Sequence, residues 1–299
     1  MLDILKPFFM LGLLIALGAY VYASNLLDLD FFRKLSRLVV RFTFPAMLFV
    51  SMYNMEPGAL QQGWIFTAVG LGTSVLLAFT AHYSGELFGL KGTTFGTYQI
   101  LCTNGNNIFL PVPIIAALFG SPYVVYAVLF ELGAGLFYWS YGVSHFRPGR
   151  RLSLRRLVNP NMLALVAGLI LGLLPVQVPG SIYGALEILG NITLGSAMLI
   201  VGALVMNVLK RPLRPRREIS GVVLHRLLLS PLVGVILLRL VPFPAELGKI
   251  LLLLMAMPPL MTTALVAASF NADEELAAMG VALPTLLSFV VLPLALSML

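Results

Sequence analysis

An all-α, polytopic membrane protein is what these 299 residues encode. Three observations point there. Only 10% of the residues are charged, against roughly 25% in a soluble domain. The mean hydropathy is +0.97. Apolar runs of ~20 residues, each long enough to cross a bilayer core, recur along the whole chain.

Ten spans follow in order, at 4–24, 33–53, 64–88, 94–119, 122–145, 158–175, 183–207, 219–240, 247–270 and 276–298. The first has a single lysine, Lys6, where a signal peptide would have a basic n-region, so it reads as a first span rather than a cleaved leader. The second starts in basic residues and ends near Ser51 and Asn54, which face a cavity; Thr43 lies nearer its basic end. The third has His82 and Glu86 one turn apart near its end, the spacing of an interfacial pair. The fourth is interrupted by CTNGNNIFLPVP at 102–113. The fifth carries Glu131 nine residues in, with Tyr126, Tyr138 and Tyr141 nearby. The seventh contains Asn191-Ile192-Thr193, a glycosylation sequon that a span leaves unused, and Glu187 near its outer end. The eighth opens near His225-Arg226, where an arginine snorkels to the interface. The ninth is interrupted by Pro258-Pro259, followed by Thr262 and Thr263. The tenth follows the acidic turn 273–275.

Charge asymmetry sets the orientation. Arg33, Lys34 and Arg37 stand where the loop after the first span runs into the second. Arg147, Arg150, Arg151, Arg155 and Arg156 follow the fifth. Lys210, Arg211, Arg214, Arg216 and Arg217 follow the seventh. By the positive-inside rule these loops are cytoplasmic and both termini lie outside. Topology thus accounts for the net charge of +7, and no aromatic-rich module accompanies the cations, so nucleic acid is not an expected partner.

Five spans on either side of the basic loop insert with opposite orientation. PAMLFVSM at 45–52 and SAMLIVGA at 196–203 echo each other at an offset of 151. The expected organisation is a first five-helix repeat at 1–146, a basic cytoplasmic loop at 147–157, and a second, inverted repeat at 158–299. The same offset carries CTNGNNIFLPVP onto LLMAMPPLMTTA at 253–264, the other interrupted span. Paired interrupted segments at matching positions of two halves mark the binding site of secondary transporters. Proline removes an amide donor, and in hydrocarbon the freed carbonyls need partners. Asn104 is ten residues into its span, ~15 Å deep in a core of ~30 Å. Broken helices four and nine that cross there would bring Asn104, Asn106, Asn107, Pro111, Pro258, Pro259, Thr262 and Thr263 to one polar cavity, with Ser51 facing it.

An ionisable group at mid-membrane is costly and functional by default. Glu131, at the same depth as Asn104, is therefore expected to bind substrate or a coupling proton or cation. Other chemistry is excluded. The one cysteine, Cys102, allows no internal disulfide or thiolate cluster. His82, His145 and His225 have no metal spacing. No phosphate-cradling loop or other enzyme signature is present, so neither a cofactor nor a metal is expected.

The residues around these breaks resemble the auxin efflux carrier family, which includes plant auxin carriers and many bacterial members. The resemblance rests on Asn104 with Pro111 seven residues later, on NPNMLALVAGLILGLL at 159–174, on LGNITLGSAMLIVGALV at 189–205, and on MPPLMTTALVAASFNADEELAAMGVALPTLLSFVVLPL at 257–294. It implies ten helices in two inverted repeats, with helices four and nine crossing at the substrate site. It implies a dimerising scaffold of helices 1, 2, 6 and 7, and a transport domain of helices 3–5 and 8–10 that moves like an elevator. Family substrates are organic anions: auxin in plants, small carboxylates such as malate or malonate for bacterial members. Asn104 matches the asparagine that contacts the substrate carboxylate, and Pro258 the crossing proline of the ninth helix. Asn106 and Phe109 stand where bacterial members often have glycine, and Thr103 where plant carriers have proline. The implied protein is a homodimeric secondary carrier of a small organic anion in a bacterial inner membrane, multi-pass, using H+ or Na+ for any coupling. A sodium-coupled symporter of the related bile-acid class, or a membrane sensor that binds without transporting, are the alternatives.

Overall fold

A computed structural model describes residues 2–55, 57–142, 160–174, 177–210, 216–261, 263, 267 and 272–297. The basic loop 147–157, His145 and Thr262 lie outside the described residues. The described chain is helical. Its elements are α1 (Leu2–Ala23), α2 (Leu29–Leu38), α3 (Phe44–Tyr53), α4 (Pro57–Leu87), α5 (Gly92–Thr103), α6 (Pro111–Leu118), α7 (Val124–Ser140), α8 (Pro160–Leu173), α9 (Gly180–Leu209), α10 (Arg217–Leu224), α11 (Ser230–Leu240), α12 (Ala245–Met255) and α13 (Glu274–Ser297).

Two of these rods contain a π turn. Val39–Thr43 joins α2 to α3, and His225–Leu229 joins α10 to α11. Each turn lies just ahead of a proline, Pro45 and Pro231. A proline inside a helix has no amide for the carbonyl four residues back, and its ring collides with that carbonyl. One wider turn absorbs both problems, and such turns concentrate at functional sites.

Among the described residues five helical stretches are long and apolar enough to cross a membrane: Leu29–Tyr53, Gln62–Leu87, Gly180–Asn207, Arg217–Leu240 and Glu274–Leu292. Shorter apolar helices stand beside them at Phe9–Ala23, Val124–Tyr138 and Leu163–Leu173. Phe9, Leu13, Phe79, Leu228 and Val290 each expose more than half of their surface. In water so much exposed apolar surface would drive association; against lipid it is the natural perimeter. The chain is a multi-pass membrane protein.

Lipid supplies no hydrophobic drive between helices, so close packing must hold them together. Small residues allow it. On α1 and α9, Gly18 lies on the Leu199 backbone and Gly202 on those of Ile15 and Ala19. On α4 and α7, Gly70 faces Phe130 and Gly133 faces Thr67. These helix pairs and α3 with α8 and α9 are the most extensive contacts. The core they enclose runs from Phe44 and Met52 through Ile114 and Ile115 to Leu251 and Met255.

One polar cluster ties helix ends together. Arg216 donates from Nη1 and Nη2 to the Asp273 carboxylate, each at 3.0 Å. Thr94 Oγ1 and the Leu276 amide donate to the same carboxylate at 2.9 Å. The starts of α5, α10 and α13 therefore share one face of the molecule. Partial burial works to raise the Asp273 carboxyl, but the Arg216, Leu276 and Thr94 contacts outweigh it and hold it below its ordinary 3.8. His82 and Glu86 form a 3.3 Å pair with both side chains about half exposed, as an interfacial pair should be.

Candidate functional site at the helix breaks

The first break follows from its sequence. α5 ends at Thr103, whose hydroxyl folds back onto the carbonyl of Gln99 at 2.9 Å, and Asn104 is extended, at φ −108° and ψ 117°. Asn106 then turns the chain: its Oδ1 accepts from the Phe109 amide at 3.1 Å, as asparagine does in turns. Pro111 opens α6, where a helix needs no amide donor. In the second break α12 stops at Met255, and Pro258 and Pro259 have no amide with which to continue it.

The two breaks meet. The Asn106 amide donates to the Pro258 carbonyl at 2.8 Å, and the Leu260 amide donates to the Asn104 carbonyl at 2.9 Å. Gly105 and Pro259 thus face each other as an isolated antiparallel bridge. Extended backbone at membrane depth survives only where its polar groups are paired within the protein, and here each break supplies what the other lacks.

The carbonyls left at the end of α12 are capped from the α10–α11 rod. Ser230 Oγ donates to the Met255 carbonyl at 2.6 Å. Arg226 donates from Nε at 3.1 Å and from Nη2 at 2.8 Å to the Met257 carbonyl. These two residues are four apart and face the same side. Arg226 is 3% exposed, which corrects the snorkelling expectation: the guanidinium points inward to a carbonyl that the proline pair has freed. Its Nη2 lies against Gly105, at the spot where a β-carbon would stand, with Asn107 Oδ1 2.7 Å from that same spot. Only glycine admits both.

The expected site residues divide between two places. Asn104, Asn106, Asn107, Pro258, Pro259 and Thr263 are all buried at the crossing, and Pro111 is buried at the start of α6. Asn104 donates to Thr103 Oγ1 at 2.8 Å and lies beside Gly142 and Tyr138. Asn107 donates to Glu131 Oε2 at 3.0 Å. Glu131 therefore meets Asn107, while Asn104 stands about two turns further along α7; helix rise along separate spans missed this because the chain folds back between the asparagines. Asn106 Nδ2, Asn107 Oδ1 and Thr263 Oγ1 are buried and have no hydrogen-bond partner among the described residues. Unpaired buried polar atoms are few in native proteins and call for a reason.

Ser51 is elsewhere. With Asn54, Gln62, Glu187 and Asn191 it lines a cavity of about 730 Å³ between α3, α9 and the α6–α7 corner. Val112 and Ala116 of α6 form part of its wall, but the three asparagines do not. Phe109 packs on Phe44 with ring centroids 5.3 Å apart.

Gly105, Arg226 and Ser230 were not among the expected site residues. A signal existed for the last two: an arginine inside an apolar run and a Ser-Pro step four residues on, a combination that neither a lipid-facing helix nor an interface anchor needs.

The profile of the membrane transport protein family matches residues 3–152 and 149–296. A protein described as an uncharacterized transporter, from Methanothermobacter thermautotrophicus, is 27% identical over 289 residues, covering 94% of this chain and 93% of its own. Both relationships indicate a transporter rather than an enzyme. The chain belongs to the membrane transport protein family, of auxin efflux carrier type.

Proposed function

We propose that the protein is a secondary carrier of a small organic anion, with its substrate site at the crossing of the two breaks. The observation that carries this is the antiparallel pairing of 104–106 with 258–260, ringed by asparagine amides and the Arg226 guanidinium. Amide donors and a fixed cation suit a carboxylate. Unpaired Asn106 Nδ2 and Thr263 Oγ1 are ready donors, and Asn104 adjoins the bridge at Gly105. Glu131, held by Asn107, is placed to exchange a proton as the asparagine changes partners.

In this reading the protein forms two inverted five-helix repeats. The rods built from α1, α2–α3, α8 and α9 form a dimerising scaffold in the cell membrane, and the rest moves past it. The packing of α1 on α9 and of α3 on α8 and α9 supports such a unit. The cavity that holds Ser51 lies on the boundary between the two groups, where a moving domain would deliver substrate. The shared face of Thr94, Arg216 and Asp273 is the cytoplasmic one, and both termini lie on the opposite side.

The test is a thermal-shift screen of carboxylates and aromatic acids, followed by counterflow of the best ligand in proteoliposomes. Asn104→Ala should abolish binding and leave the fold intact, since among the described residues the side chain makes one hydrogen bond, worth about 0.5–1.5 kcal/mol. Transport by Asn104→Ala at the wild-type rate would place the site elsewhere. Binding without counterflow in the wild type would make the protein a sensor.

A further inference from the structure

Arg226 is more than the cap of a helix needs. It lies well inside the apolar stretch Arg217–Leu240, 3% exposed, and its side chain stays charged under all ordinary conditions. Among the described residues no carboxylate lies within 4.0 Å of it; the arginine ion pairs there belong to Arg216. Burying an unpaired charge costs several kcal/mol. A neutral hydroxyl is enough to cap the neighbouring carbonyl, as Ser230 does for Met255. Yet at Met257 two guanidinium N–H groups converge on one carbonyl.

The place it occupies has a known chemical character. Met257 follows the C-terminus of the half-helix α12, the negative end of its dipole. In carriers built on broken helices, freed carbonyls at such half-helix ends hold the coupling cation. A second oxygen belongs to the same seat. Asn107 Oδ1 is buried without a hydrogen-bond partner among the described residues, and it closes on Gly105 from beside the guanidinium. Its amide nitrogen is committed to Glu131, which leaves the oxygen free to serve a cation, and it makes no hydrogen bond to the guanidinium.

We propose that Arg226 is a tethered cation occupying the seat of a coupling ion, so that the crossing has its positive charge without sodium. This builds on the anion-carrier assignment and specifies its coupling. The carrier is then sodium-independent, and the substrate carboxylate supplies the counter-charge that the protein withholds.

The experiment compares thermal unfolding of the purified protein in sodium chloride and in choline chloride at equal concentration. Wild type should unfold within about 1 °C in the two salts, because a filled seat gives no linkage to free cation. Arg226→Ala opens the seat onto the Met257 carbonyl and Asn107 Oδ1, and should gain a sodium-specific stabilisation of about 3 °C or more. Arg226→Lys keeps a tethered cation and should stay indifferent. Sodium-specific stabilisation of the wild type, or of Arg226→Lys, overturns the proposal. So does a folded Arg226→Ala that ignores sodium as the wild type does. If Arg226→Ala does not fold, Arg226→Gln, which removes the charge and keeps more of the side-chain volume, takes its place with the same expected sodium-specific gain and the same overturning result. The salt comparison uses no substrate, so failure of the anion assignment is read separately, from the carboxylate screen.

Discussion

The amide of Asn106 donates to the carbonyl of Pro258 at 2.8 Å, joining two helix breaks 152 positions apart in the chain. Each break alone exposes backbone that hydrocarbon cannot satisfy. Together they form a short two-stranded contact, and the surrounding helices supply the remaining caps. The consequences can be measured.

Gly105 is the tightest point of that contact. A β-carbon there meets the Arg226 guanidinium and stands 2.7 Å from Asn107 Oδ1. Gly105→Ala should lower stability by about 1–3 kcal/mol, the range for overpacking a close-packed site. Gly195→Ala, where a β-carbon meets nothing within 4 Å, should not. Thermal unfolding of the two variants in one detergent makes the comparison.

Ser230 is 1% exposed and binds the Met255 carbonyl at 2.6 Å. Ser230→Ala leaves that buried carbonyl unpaired, at a cost of about 1–3 kcal/mol. The exposed Ser220, bonded to Arg217 within its own turn, is the control, and its alanine variant should stay within about 0.5 kcal/mol of wild type. Equal losses at the two positions would remove Ser230 from the capping role.

The Arg216–Asp273 cluster makes stability depend on pH. Asp273 has its folded carboxyl below the ordinary 3.8, and Arg216 stays cationic throughout. A depressed acid stabilises the folded state above its unfolded value and loses that contribution as pH falls through the folded value. The unfolding temperature of Asp273→Asn should therefore lie below wild type at neutral pH, with the gap closing as pH drops under 3.8. A gap independent of pH would show that the contacts act without the charge.

Glu131→Gln keeps an oxygen for the Asn107 amide, now bonded at 3.0 Å, so the fold should lose less than about 1.5 kcal/mol. Transport should lose its dependence on pH, measured as the initial rate in proteoliposomes over a pH series. A glutamine variant with the wild-type profile would exclude Glu131 as the proton carrier.

Much of the architecture can be read locally. Whether a run of residues enters lipid depends on its own side chains, and a proline denies an amide to its own helix whatever lies nearby. Hence the apolar stretches, the break at 104–111 and the break at 258–259 are visible in the chain before it folds. The partners of the breaks are not. That Asn107 meets Glu131 depends on the turn that Asn106 makes, and that Arg226 turns inward depends on a carbonyl freed 31 positions later. Helical periodicity gives Arg226 two options, the lipid interface or the interior, and composition alone favours the interface. Only the packed structure places an unpaired carbonyl within its reach and makes the interior the lower-energy answer. The sequence by itself determined which stretches are apolar enough to enter lipid and where helices break, because desolvation and a proline's missing amide are local costs. Tertiary structure decided which buried polar groups satisfy one another, because those bonds join residues that only folding brings together.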